Sequence, residues 1–246
     1  MVEIFDSIVH PTVDGTWLNP RFNENCNFED LLVDMKKYGI KKAFAVGMEG
    51  VGNYSHEAFM ALIKPCHELM PVAFCRPTYE EKDLDRLKQL GYVGIKIHPR
   101  LSNISCDDFR IGTIVKAANE RGICVLVCGY LGATEKFVSN IIDEHVLFLH
   151  SGATNIYNTF QSLKINKNVL FDLSYTFMNR ELTEVILSLV QKYPERFCIG
   201  SDHPEVTLSA FRERFDEMTA GLHEDTVRML AHRNIETFIN RVIARR

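Results

Sequence analysis

Phe197-Cys198-Ile199-Gly200-Ser201-Asp202-His203-Pro204 reads as a short apolar strand that ends on a carboxylate and is then stopped by proline. Pro204 cannot donate to a ladder, so the strand ends here with Asp202 at its carboxyl edge. That edge is where α/β folds gather their ligands. Taken alone, the same residues also suit a helix N-cap, because Ser201 and Asp202 precede a helical pattern over 207–215. The rest of the chain decides between the two readings.

Working back from this stretch, apolar strand patterns alternate with amphipathic helical ones. Strands are expected at 3–10, 43–47, 72–75, 92–98, 123–128, 146–150, 168–174 and 196–202. Helices are expected at 28–35, 55–63, 80–90, 107–121, 133–143, 155–163 and 181–192, and the segment 224–243 forms one or two more. Cys124-Val125-Leu126-Val127 and Val146-Leu147-Phe148-Leu149 are almost wholly apolar, as strands covered on both faces must be. Eight βα units in 246 residues close most naturally into a single (β/α)8 TIM barrel spanning 1–246, with the C-terminal helices packed outside. An open doubly wound sheet is the runner-up, but no Gly-x-Gly-x-x-Gly follows the first strand.

The formal charge of −4 is unpatterned, with no basic run beyond Lys41-Lys42 and Arg245-Arg246, so a nucleic-acid partner is not expected. Seven cysteines are scattered singly with no Cys-x-x-Cys pair, which points to reduced thiols and a cytoplasmic protein. No apolar run approaches the length of a membrane span, and no membrane partner is expected. Oligomeric state is not legible in the sequence.

With the strands aligned, polar residues recur at one edge: His10, Arg76, Lys96 and His98, Cys128, His150, Asp172 and Ser174, then Asp202. In a parallel barrel these ends converge on one mouth. Each also has a plainer reading. His98 can bond a loop carbonyl, Cys128 can be a small buried hydrophobe, Arg76 can pair with a carboxylate at the rim, and Asp172 can pair with Lys96. The case for function is joint, because the histidines, cysteine and aspartate end different strands. The longest loop, 11–27 with Trp17 and Arg21, is the candidate lid.

Gly94-Ile95-Lys96-Ile97-His98-Pro99, Leu149-His150-Ser151-Gly152 and Gly200-Ser201-Asp202-His203-Pro204 together resemble the amidohydrolase superfamily. The resemblance is to its amidohydrolase-related branch, which includes aminocarboxymuconate-semialdehyde decarboxylase and related lactonases and hydrolases. It implies a TIM barrel with one divalent metal, Zn, at the mouth. Two positions depart from that pattern. The family's Asp-x-His-x-His is here Asp6-Ser7-Ile8-Val9-His10, so Ile8 stands at a ligand position, and Cys128 stands where strand 5 carries a histidine. The implied ligand set is His10, Cys128 and Asp202, since thiolate is a competent zinc ligand; the same departures equally suit a lost site.

The implied activity is hydrolysis of a small amide, ester or lactone by an activated water. Asp202 would be the base, His150 would shuttle a proton, and His98 would lie beside them. Arg76, Arg100 and Lys96 are the candidates to hold a substrate carboxylate. Metal-free hydrolysis, decarboxylation of a small unsaturated or aromatic acid, and a barrel that only binds a small acid all remain open.

Overall fold

The computed structural model describes residues 2–129 and 132–245. Eight strands form one parallel sheet in sequence order: β1 (Ile4–Val9), β2 (Ile40–Val46), β3 (Leu69–Cys75), β4 (Gly94–Ile97), β5 (Cys124–Cys128), β6 (Val146–Leu149), β7 (Val169–Asp172) and β8 (Phe197–Cys198). The helices are α1 (Phe28–Lys37), α2 (His56–Ile63), α3 (Glu81–Leu90), α4 (Phe109–Glu120), α5 (Glu135–Asn140), α6 (Ile156–Leu163), α7 (Thr183–Lys192), α8 (Leu208–Thr219), α9 (Glu224–Arg228) and α10 (Asn234–Ile243). The barrel expected from the alternation is the barrel observed.

The seam between β8 and β1 is irregular. Regular pairing of β8 covers only Phe197–Cys198, against an expected strand over 196–202. Beyond it the chain still bonds to β1, with Ser7 N donating to Ile199 O and Asp202 N to Ile8 O, both at 3.0 Å, and with a parallel bridge between Val9 and His203. β1 shifts register twice against β2, which breaks the even spacing that a regular ladder needs. Gly200 sits at the tightest point: a Cβ there would run into Ser7 Oγ, with Asp172 Oδ1 and Ile8 close behind.

Period-two alternation divides each strand between two cores. Ala43, Ala73, Ile95, Val125 and Phe171 face the surrounding helices. Phe44, Val72, Leu126, Leu147, Leu149, Leu170 and Cys198 fill the barrel interior. The last helices lie outside the cylinder of strands, yet they do not line its flank with the others. Ile235, Phe238, Ile239 and Val242 of α10 join the interior cluster and form the barrel's floor. The apolar floor leaves the polar residues to the opposite end.

Two expected strand residues lie past their ladders. His150 and Asp202 both take positive φ, 61° each, so the backbone turns sharply where each side chain is delivered to the mouth. Among the described residues no helix is long and apolar enough to cross a membrane. Truncation of the floor residue Phe238 to Ala should cost about 3 kcal/mol, read as a lower urea midpoint at unchanged slope.

Candidate active site

The organising group is Asp172, wholly buried at the end of β7. Its carboxylate accepts hydrogen bonds from Ser7 Oγ, Ser174 N and Oγ, and His150 N. Its partners are therefore β1, its own strand end and the turn after β6, and Lys96 is not among its hydrogen-bond donors. Ser151 Oγ adds a bond to Asp172 O, and Thr176 Oγ1 donates to His150 O. These bonds hold the left-handed run His150-Ser151-Gly152 in place.

The same network fixes the state of His150. Its Nδ1 lies 3.3 Å from Ser174 O, an acceptor only, and 3.0 Å from Ser174 Oγ, whose own proton goes to Asp172. Nδ1 therefore carries a proton, and Nε2 is left for the mouth. Burial pushes this imidazole down, but the charge of Asp202 and the hydrogen bond to Cys128 outweigh burial and raise its pKa to about 9.

A second group lies deeper. His10 Nδ1 donates to Val46 O at 2.8 Å, so its Nε2 presents a lone pair. Lys96 Nζ stands 3.2 Å from that nitrogen, and Asp202 Oδ1 lies 3.5 Å from it. Burial first, then the Lys96 charge, lower the His10 pKa to about 4, so the ring is neutral. Burial also lowers Lys96, while Cys128 and Asp202 oppose that shift. Asp202 is itself pushed up by burial, but His150, His10 and Lys96 overcome this and hold it well below the usual carboxylate range.

This geometry decides how the expected ligand set fits a metal. The lone pair of His10 that would bind an ion already faces the Lys96 ammonium. Cys128 lines a cavity at the mouth with His150 and His98, and Ile8 is a wholly buried member of the interior core. Among the described residues no three His, Cys, Asp or Glu side chains are grouped to hold an ion. Among the described residues His10, Cys128 and Asp202 are thus not grouped as a zinc site: the Lys96 ammonium, 3.2 Å from His10 Nε2, stands at the lone pair that an ion would take.

Above these groups opens a cavity of ≈ 270 Å³ lined by His98, Arg100, Cys128, His150, Asp202 and Glu205, with Cys106 and Tyr175 at its edge. Its size suits a small metabolite. Of the residues expected at the site, Arg76 is not brought here: it is ion-paired to Glu49 and lines a separate hollow with Arg110. Lys96 and His10 lie beneath the cavity rather than in its wall. The loop over 11–27 is tied down, with the Trp17 ring tilted against His10 at 4.9 Å between ring centres and its Nε1 donating to Glu205 Oε1. Asn25 Nδ2 bonds Pro204 O at 3.2 Å, so this loop is a fixed cover.

Glu205 is the functional candidate that the sequence reading passed over. It stands three residues beyond Asp202, and a second carboxylate just past the strand-ending proline was the available signal. Burial and the Asp202 charge raise its pKa. The mouth therefore holds two carboxylates pushed in opposite directions, an arrangement that separates proton-transfer roles.

No family model matches the sequence, and no curated protein matches it. Solved structures do. An uncharacterized TIM-barrel protein from Bordetella bronchiseptica superposes with TM-score 0.81 at 17% identity, over 98% of this chain and 99% of that one. A "probable 2-pyrone-4,6-dicarboxylic acid hydrolase" from Acinetobacter baumannii, with citric acid bound, gives 0.73 at 14%, over 97% and 100%. The 5-carboxyvanillate decarboxylase of Sphingomonas paucimobilis gives 0.70 at 12%, over 98% and 99%. At these identities the likeness shows a shared fold, the one that the sequence resemblance implied.

Because the Asp202 charge sustains the His150 imidazolium, Asp202→Asn should lower the His150 midpoint from about 9 towards the ordinary histidine value. Titration of the imidazole by NMR reads this directly, and an unmoved midpoint would refute the pairing.

Proposed function

We propose that the protein hydrolyses a small carboxylated ester or lactone in the cavity at the barrel mouth. The observation that carries this reading is the placement of two oppositely shifted carboxylates, a cationic histidine and a free guanidinium around one enclosed space. Arg100 is exposed at the cavity wall and forks towards a substrate carboxylate. Acids recur in the names of the similarly folded proteins, which include a pyrone dicarboxylate hydrolase and a carboxyvanillate decarboxylase.

Asp202 is held too acidic to be an efficient base near neutral pH, where a base works best with a pKa close to the ambient value. Its steady negative charge instead orients water and supports His150. Glu205, pushed up by burial and the Asp202 charge, is the better suited of the two to take the water's proton as the carbonyl is attacked. His150 gives a proton to the departing oxygen. Lys96 meets His10 Nε2 at 3.2 Å, and its charge favours the ionised form of Asp202. An activated ester or lactone suits this machinery, because its leaving oxygen needs less assistance than an amide nitrogen. The expectation of zinc rests on the resemblance alone.

Decarboxylation of a carboxylated aromatic acid is the second reading, favoured by the likeness to the carboxyvanillate enzyme. A panel of carboxylated lactones, esters and aromatic acids, assayed in chelator for acid release and for carbon dioxide, separates the two. Acid release that chelator leaves unchanged is expected. Carbon dioxide from the aromatic acids, with no lactone or ester opened, would replace hydrolysis by decarboxylation. Glu205→Gln should lower kcat on the order of a hundredfold. Arg100→Gln should raise KM about tenfold with a smaller change in kcat, the cost of one lost charge-assisted bond.

A further inference from the structure

We infer that Cys128 is a covalent nucleophile that carries the acyl group as a thioester, with His150 as its proton partner and the Ser174–Asp172 pair holding that histidine in place. This deepens the hydrolytic reading and rests on it for the identity of the acyl donor. Nothing in the water-only route explains why a thiol lines the cavity wall together with two imidazoles.

The assignment follows from where the protons are. Ser174 O takes the proton of His150 Nδ1, which leaves Nε2 as the nitrogen that exchanges a proton with the thiol. Ser174 Oγ and Asp172 stand behind the ring as its orienting group, so nucleophile, base and orienter lie in sequence across β5, β6 and β7. His98 has the opposite tautomer. Leu101 N donates to its Nδ1 at 3.2 Å, so its proton is on Nε2 and is given to the sulfur. Among the cysteines, Cys75, Cys124 and Cys198 are sealed away from the mouth, whereas Cys128 lines the cavity with His98 and His150.

The cycle balances without an outside reagent. Cys128 Sγ bonds to the acyl carbon, and the C–O bond to the alcohol breaks. The leaving oxygen takes the proton of His150 Nε2, giving an alcohol, a thioester and a neutral imidazole. Water then adds to the thioester carbonyl, and its proton passes through Glu205 to His150. The C–S bond breaks, which restores thiolate and imidazolium and frees the acid. With a lactone the alcohol stays attached to the acyl group until this second step.

The test uses the full chain with mono-para-nitrophenyl succinate as the probe, in chelator, with acid quench and mass mapping. A burst of nitrophenol and a succinyl group on Cys128 are expected, and the adduct should accumulate in Glu205→Gln. Cys128→Ser and Cys128→Ala, each checked for fold by circular dichroism, should lose turnover on the order of a thousandfold. Wild-type turnover persisting in both variants would overturn the nucleophile and leave hydrolysis standing. If wild type cleaves no ester or lactone, the hydrolytic reading fails, and iodoacetamide decides the thiol separately. Alkylation of Cys128 ahead of the other six cysteines, slowed in His150→Asn, supports the reactive pair, whereas alkylation without that preference overturns it.

Discussion

One buried carboxylate holds this mouth together. Asp172 is sealed from solvent, and every hydrogen bond it accepts comes from a residue that positions something else. Ser7 ties it across the seam to β1, and Ser174 carries the contact on to the His150 ring. The backbone N–H of His150 pins a turn that three residues enter in left-handed geometry. Burial raises its pKa, opposed by His150, Ser174 and Ser7. A carboxylate in such surroundings is stable only while its donors stay aimed at it, so the arrangement of β1, β6 and β7 is enforced from one point.

The second constraint is positive charge without water. Lys96 is almost fully buried, and its ammonium faces the neutral His10, whose Nε2 also approaches Asp202. A tethered monovalent cation has a fixed position and takes no lone pair. It can balance Asp202, but it cannot polarise a bound water as a divalent ion does. The mouth above it is rich in groups of shifted proton affinity.

The barrel was legible because its signals are local and repeated: apolar strands ended by His98-Pro99 or Asp202-His203-Pro204, with amphipathic stretches between. The strand-end rule also brought His98, Cys128, His150 and Asp202 correctly to one cavity. What could not be read was set by geometry between strands. Lys96 lies one turn of the pleat below His98, and the sequence does not reveal that its ammonium comes to rest 3.2 Å from His10 Nε2. Arg76 ends its strand as the others do, yet Glu49 draws it into a neighbouring hollow. The length of β8 was overestimated because a two-residue ladder and a bulged seam look identical in sequence to one continuous strand.

The apolar floor carries a consequence for how the molecule comes into being. Ile235, Phe238, Ile239 and Val242 seal the interior, and they follow every strand in the chain. While the polypeptide is being made, all eight strands can emerge with their lower interior still uncovered. The final closure is therefore a late, long-range event, joining residues from opposite ends of the sequence. A nascent barrel waiting for its last helix is the stage at which this protein most needs protection from association with others like it.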